Sequence, residues 1–237
     1  MTKRYVGSSG HGLKIRGAKH FIDEVDEARQ VTNEVHRILT TQYNGAGSVF
    51  HDDTSTTQNQ NLQTIVNYHN KQSRDLDWSI HFNAASVTDD PRGVEVLYYD
   101  MKDLSAKVSA AISKASGLKD RGPKQRPELY FLKNTYKPAI LIEVCFVDSE
   151  GDVDLYHKNF NAICAAIAEV LATHLGYTKK EEVKEAQAKV MLNDSKSIPA
   201  VIIDGRTHVQ VREIAELLGL KLVYNNKSKI TKLYEVK

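Results

Sequence analysis

Apolar and polar residues alternate along Trp78-Ser79-Ile80-His81-Phe82-Asn83-Ala84, the period of a half-buried strand that ends near a histidine. Residues 4–8, 48–51, 93–99 and 129–132 read as further strands. The run 139–147 is apolar throughout except for Glu143, as in a strand buried on both faces in the middle of a mainly parallel sheet. Helical spacing marks residues 25–42 through Val31, Val35, Ile38 and Leu39, and residues 58–72 through Leu62, Ile65, Val66 and His69. Two more helices, 103–116 and 159–175, stop at Gly117 and Gly176, where glycine supplies a left-handed cap. Strands and helices that alternate in this way predict a layered α/β domain: a mainly parallel mixed sheet, helices flanking it, and a site built from loops at the strands' C-terminal ends.

The pattern changes after Tyr177. Residues 178–189 are rich in Lys, Glu and Ala and lack Gly and Pro, which predicts a short helical or semi-rigid linker. Beyond it, strand-like runs flank an Asp204-Gly205 turn. A helix over 212–218 capped at Gly219 and strands near 220–224 and 229–236 complete a small α+β unit. The expected organisation is therefore a large α/β domain over 1–177, a linker over 178–189 and a small domain over 190–237.

Composition narrows the class. The chain has 237 residues, 41% apolar and 26% charged, the balance of an ordinary globular protein. No apolar run approaches the roughly 20 residues of a membrane span. The basic start, residues 1–7, lacks the apolar core of a secretory signal, so the expectation is synthesis in the cytoplasm and release by another route. Cys145 and Cys164 sit among apolar neighbours without CxxC spacing, which argues against a disulfide framework or a thiolate metal site. Buried, inert thiols are the expected reading of both; the strand parity that Cys145 shares with Glu143 leaves approach to whatever Glu143 faces as its alternative. From Lys179 onward 12 basic residues face 8 acidic ones, a net +4 against −2 for the preceding body. Such a tail suits an anionic partner. Interleaved aromatics are lacking, which argues against nucleic acid.

Glu143 is the residue least at home in its surroundings, because a carboxylate inside an apolar strand must be paired, protonated or used. Burial would raise its pKa toward the range useful for general acid/base work. Three more candidates lie at the ends of regular elements: His11 in the Ser9-Gly10-His11-Gly12 loop, Glu24 at a helix start and His81 at a strand end. Two imidazoles and one carboxylate make up a familiar open zinc site. Spacing alone does not select these three, since His20 and Glu27 are rivals to His11 and Glu24. The basic stretch 119–127, which includes Arg126, suits either contact with a ligand or a solvated connection.

Taken together, Gly10-His11-Gly12, Gly17-Ala18, Glu24, residues 79–84, Arg121-Gly122 and residues 138–144 resemble, in order and spacing, the zinc-dependent N-acetylmuramoyl-L-alanine amidases of bacterial autolysins and phage endolysins. Residues 53–57 and 143–148 support the phage type, and the resemblance spans roughly the first 176 residues. It implies that His11, Glu24 and His81 bind zinc, that Glu143 is the catalytic acid/base, and that Asn83 and Arg126 contact the substrate, peptidoglycan. The chain departs from many relatives in having Gly12-Leu13-Lys14 after His11 and Cys145 in place of a glycine. The tail resembles small domains appended to bacterial surface proteins, which implies attachment to the wall, with an anionic wall polymer as a candidate ligand. The resemblance thus implies a peptidoglycan hydrolase acting at the bacterial wall, as a phage lysis enzyme or a host autolysin. The rival reading is a wall-binding protein without catalysis.

Overall fold

The computed structural model describes residues 2–180, 186–192, 196–203, 206–225 and 230–235. The chain divides into two compact units, Met1–Lys180 and Glu181–Lys237.

The first unit is built on β1 (Arg4–Ser9), β2 (Ala46–Phe50), β3 (Leu76–Asn83), β4 (Val94–Tyr98), β5 (Asp120–Gln125) and β6 (Ala139–Phe146). They form one sheet in the order β2-β1-β3-β6-β4-β5. All neighbours run parallel except β4 and β6, so the sheet is mixed and mainly parallel. Its helices are α1 (Glu24–Thr41), α2 (Gln58–Lys71), α3 (Lys102–Ser116), α4 (Tyr130–Asn134) and α5 (Glu150–Leu175).

Side-chain alternation along the strands sorts these helices into layers. Trp78, Ile80, Phe82, Ile140, Ile142, Val94 and Val96 face one way and pack with Val31 and Val35 of α1, Val108 and Ile112 of α3, and Ile163 and Ile167 of α5. The other face buries Leu97, Ala139 and Leu141 against Ile65 and Val66 of α2 and Phe131 and Leu132 of α4. This second core is small. The polar residues that follow on the same face, Glu143 and Glu95 among them, border a cleft there.

Local chemistry sets the element ends. The Asp23 carboxylate accepts the Val25 N–H and caps α1, and Thr57 caps α2 by accepting from Gln60. Gly117 and Gly176 close α3 and α5 in the left-handed region.

Three expectations change. Residues 119–127, read as a loop, contain the edge strand β5, which pairs with β4. Its charges, Gly122 and Pro123 hide it because an edge strand needs no apolar alternation and tolerates proline. Residues 129–132, read as a strand, belong mostly to the short helix α4, whose apolar run is too brief for its period to be told. Finally, α5 starts at Glu150, well before 159. Ser149 caps it, and its backbone departs from helical angles at Asn159, whose side chain donates to the carbonyls of Leu155 and Ser116.

In the second unit, β7 (Ala186–Leu192), β8 (Lys196–Ile203) and β9 (Arg206–Val209) form an antiparallel sheet. α6 (Val211–Leu217) follows, and then the antiparallel pair β10 (Leu220–Asn225) and β11 (Ile230–Glu235). Residues 186–189, expected in the linker, open β7 instead, while the Asp204-Gly205 turn lies outside the described residues. Among the described residues of this unit only Ile198, Ala200 and Ala215 are buried apolar side chains.

Candidate metal centre and catalytic cleft

Three elements bring His11, Glu24 and His81 together at the C-terminal ends of β1 and β3. The loop after β1 starts with Gly10, whose N–H continues the ladder to the Ile80 carbonyl at 2.9 Å. A side chain at Gly10 would overlap the His81 ring, so only glycine lets the two strand ends approach this closely. Beyond His11 the loop is held by the Leu13 N–H on the Asp52 carbonyl, 2.8 Å. Asp52 is itself buried and accepts from Thr54, Ser55 and Asn61.

Glu24 is the first residue of α1 and only 3% exposed. Its Oε2 accepts the Ala18 N–H at 2.8 Å, just past Gly17, whose φ of 70° requires a residue without a Cβ. Its Oε1 faces both imidazoles, with His81 Nδ1 at 3.1 Å and His11 Nε2 at 3.4 Å. The two rings meet edge to face, 5.2 Å between centroids. One ligand atom from each residue lies within 4.8 Å of the others, a grouping that could hold a metal ion.

The donor set fits a cation. Burial and the positive charge of His81 lower the His11 pKa to about 4, against the pull of Glu24, so His11 is the neutral imidazole that metal binding requires. Burial works against a charge on His81 too, but the Glu24 hydrogen bond and the charges of Glu143 and Glu24 outweigh it and raise its pKa. His11 Nδ1 is buried without a partner among the described residues.

Glu143 pairs with His81 across β3–β6 and with Glu95 across β4–β6. Burial pushes its carboxyl up to about 7; the positive charge of His81 opposes this, while Glu24 and Glu95 add to it. Its Oε2 is buried and unpartnered among the described residues. The cleft beside it, about 390 Å³, is lined by the polar residues His11, His81, Asn83, Glu95, Arg126 and Glu143. Leu62, Ile65, Leu97, Leu129, Tyr130, Phe131 and Leu141 also line it. A larger, more open hollow of about 1220 Å³ between α3 and α5 is lined mainly by alanines and scattered charged residues. Among the described residues it contains no metal-ligand grouping.

The remaining candidates divide. Asn83 lines the cleft and donates to Glu95 Oε1 at 2.9 Å. Arg126 sits half-exposed on the cleft wall and pairs with Glu128. His20 packs edge to face on Phe21, and Glu27 accepts from the Tyr156 hydroxyl, so neither rival joins the cluster. Cys145 is fully buried in the core with α1, α3 and α5, as expected of an inert thiol, and the parity alternative fails. The cause is a register shift, since His81 pairs with Glu143 but Asn83 pairs with Phe146. The extra residue in β6 reverses the alternation and turns Cys145 away from the cleft. Glu95 is not among the expected site residues, although its strand carries the same signal as Glu143, one acid in an apolar run.

The family profile for N-acetylmuramoyl-L-alanine amidase matches residues 8–173. The chain belongs to that family. A curated relative, the endolysin of Bacillus phage SPP1, is 30% identical over 193 residues, covering 76% of this chain and 69% of its own. An uncharacterized protein of Clostridium perfringens is 34% identical over 170 residues, covering 68% of this chain and 49% of its own. The chain spans about half the length of the C. perfringens relatives it matches. The catalytic domain of the CD27L endolysin targeting Clostridia difficile shares the fold. Its TM-score is 0.66 at 22% identity, covering 72% of this chain and 97% of that one.

Proposed function

We propose that this amidase-family protein hydrolyses the amide between the lactyl group of N-acetylmuramic acid and L-alanine in peptidoglycan, with zinc held by His11, Glu24 and His81. The observation that carries the reading is Glu143: a half-buried residue whose Oε2 is buried and unpartnered among the described residues, bordering the same cleft as two converging imidazoles. Held by these three side chains, zinc would supply Lewis acidity toward an amide carbonyl.

The chain's own groups carry the proton chemistry. Glu143, with its pKa near 7, takes a proton from the attacking water and returns it to the departing L-alanine nitrogen. Glu24 is held by the Ala18 and Phe82 N–H groups and keeps both rings oriented. Apolar side chains line the rest of the cleft, and Arg126 there meets an anionic part of the stem peptide.

The phage-endolysin relative supports a role in lysis, with action at the bacterial wall. For the unit Glu181–Lys237 we propose wall attachment through an anionic polymer, supported by its small basic excess, 10 basic residues against 8 acidic. No helix among the described residues is long and apolar enough to cross a membrane.

The test is digestion of purified peptidoglycan followed by identification of the new termini. Free L-alanine amino groups that appear only with metal and with Glu143 intact are the expected result. New reducing sugar ends in their place would make the protein a glycosidase and overturn the reading.

A further inference from the structure

Two carboxylates share the cleft, and the fold treats them differently. Glu95 and Glu143 lie directly opposite each other in the antiparallel β4–β6 ladder, where like charges repel. Glu95 is the satisfied member. Its Oε2 accepts from Arg121 Nε at 2.7 Å and its Oε1 from Asn83 Nδ2 at 2.9 Å. Arg121 is braced in turn, with its guanidinium 5.0 Å from the centre of the Phe146 ring. Asn83 Oδ1 accepts the Ala84 N–H at 2.9 Å, so the carboxamide is held at both ends. An Asn amide nitrogen carries two hydrogens, and these contacts use only one. The second is left for an acceptor in the cleft that Asn83 lines beside Glu143.

We propose that Glu95 is a positioning residue: braced by Arg121, it fixes the Asn83 carboxamide so that its remaining N–H donates to a carbonyl oxygen of the bound substrate. This rests on the amidase reading above. The role requires an acceptor on both sides, which a carboxylate is and a carboxamide is not. Glutamine at 95 would present its own NH₂ to either Arg121 or Asn83 and leave one donor facing another.

The experiment measures kcat and KM on a soluble N-acetylmuramoyl peptide for the zinc-loaded wild type, Glu95→Gln, Asn83→Ala and the double variant, with zinc content and Tm recorded for each. Glu95→Gln is expected to raise KM about tenfold, with kcat within threefold of wild type when each is compared at its own pH optimum, and with zinc content unchanged. Because Glu95 acts through Asn83, the double variant should be no worse than Asn83→Ala alone. An unchanged KM in Glu95→Gln, or a double variant whose loss is the product of the two single losses, would overturn the proposal. If Glu95→Gln does not fold, Arg121→Gln leaves Glu95 in place but unbraced. It should raise KM at least threefold, and a KM equal to wild type would equally overturn it. Wild-type protein that fails to release L-alanine amino groups would instead sink the amidase reading itself.

Discussion

The two ends of β3 hold the same kinds of side chain and put them to different uses. Asp77 and His81 sit on one face of this strand, four positions apart. At the first end Asp77 is fully buried, with Oδ1 accepting from His69 Nδ1 and Arg74 Nε at 2.7 Å each and Oδ2 from Arg74 Nη2 at 2.8 Å. The His69 ring is closed over by Phe131, edge to face. At the second end Glu24, His11, His81 and Glu143 converge beside an open cleft, and Glu143 Oε2 and His11 Nδ1 have no partner among the described residues. A buried His-carboxylate pair is therefore no sign of chemistry in itself. His69 Nε2 also lacks a partner among the described residues, but neither it nor Asp77 lines the cleft, so what separates the catalytic cluster from the structural one is unspent ligand capacity that opens onto space for a substrate.

Substitutions at the two ends should part activity from stability. The largest effect expected is on Glu143→Gln, which should lower the hydrolysis rate about 10³-fold while zinc content stays that of wild type. A rate within tenfold of wild type would move the acid/base elsewhere. Asp77→Asn should do the opposite. It leaves Arg74 without its buried counter-charge and should cost about 3–5 kcal/mol in urea unfolding, with activity per folded molecule within twofold. An active-site loss in Asp77→Asn without destabilisation would erase the contrast.

The comparison also predicts a pH signature. Glu143 titrates near 7 in the folded, metal-free protein against an ordinary 4.5. Between those values the unfolded chain has released a proton that the folded chain retains, so stability falls as pH rises through this window. Below it the penalty vanishes, and above it the penalty is complete. Metal-free Glu143→Gln should therefore gain on metal-free wild type by up to roughly 3 kcal/mol between pH 4.5 and pH 8. A stability difference that is flat with pH would mean that Glu143 is solvated or ion-paired.

The smallest effect tests the register shift in β6. Cys145 packs in the core, so Cys145→Ala should cost about 1 kcal/mol of stability and leave kcat/KM within twofold. A large loss of activity without loss of stability would return Cys145 to the cleft.

The same contrast explains what is legible in the chain. Strands such as β3 and β6 show in the sequence because burial on one or both faces writes an alternating or continuous apolar run. Glu143 shows because it interrupts such a run. β5 does not show, since its side chains are exposed or half-buried throughout and its charges and Gly122-Pro123 leave no apolar alternation, and α4 is too short to display a period. The turning of Cys145 depends on one extra residue in a strand ladder, which nothing local announces. The meeting of His11, Glu24 and His81 is likewise a property of the sheet order, and only the family resemblance selects them from nine histidines and thirty acids. His69 and Asp77 would have looked equally eligible by residue type.

The most direct measurement is zinc stoichiometry by elemental analysis of purified, dialysed protein, comparing wild type with His81→Ala and with His69→Ala. One zinc per chain in wild type and in folded His69→Ala, and none retained by His81→Ala, is the result this account predicts. Zinc retained by His81→Ala at the wild-type level would contradict it.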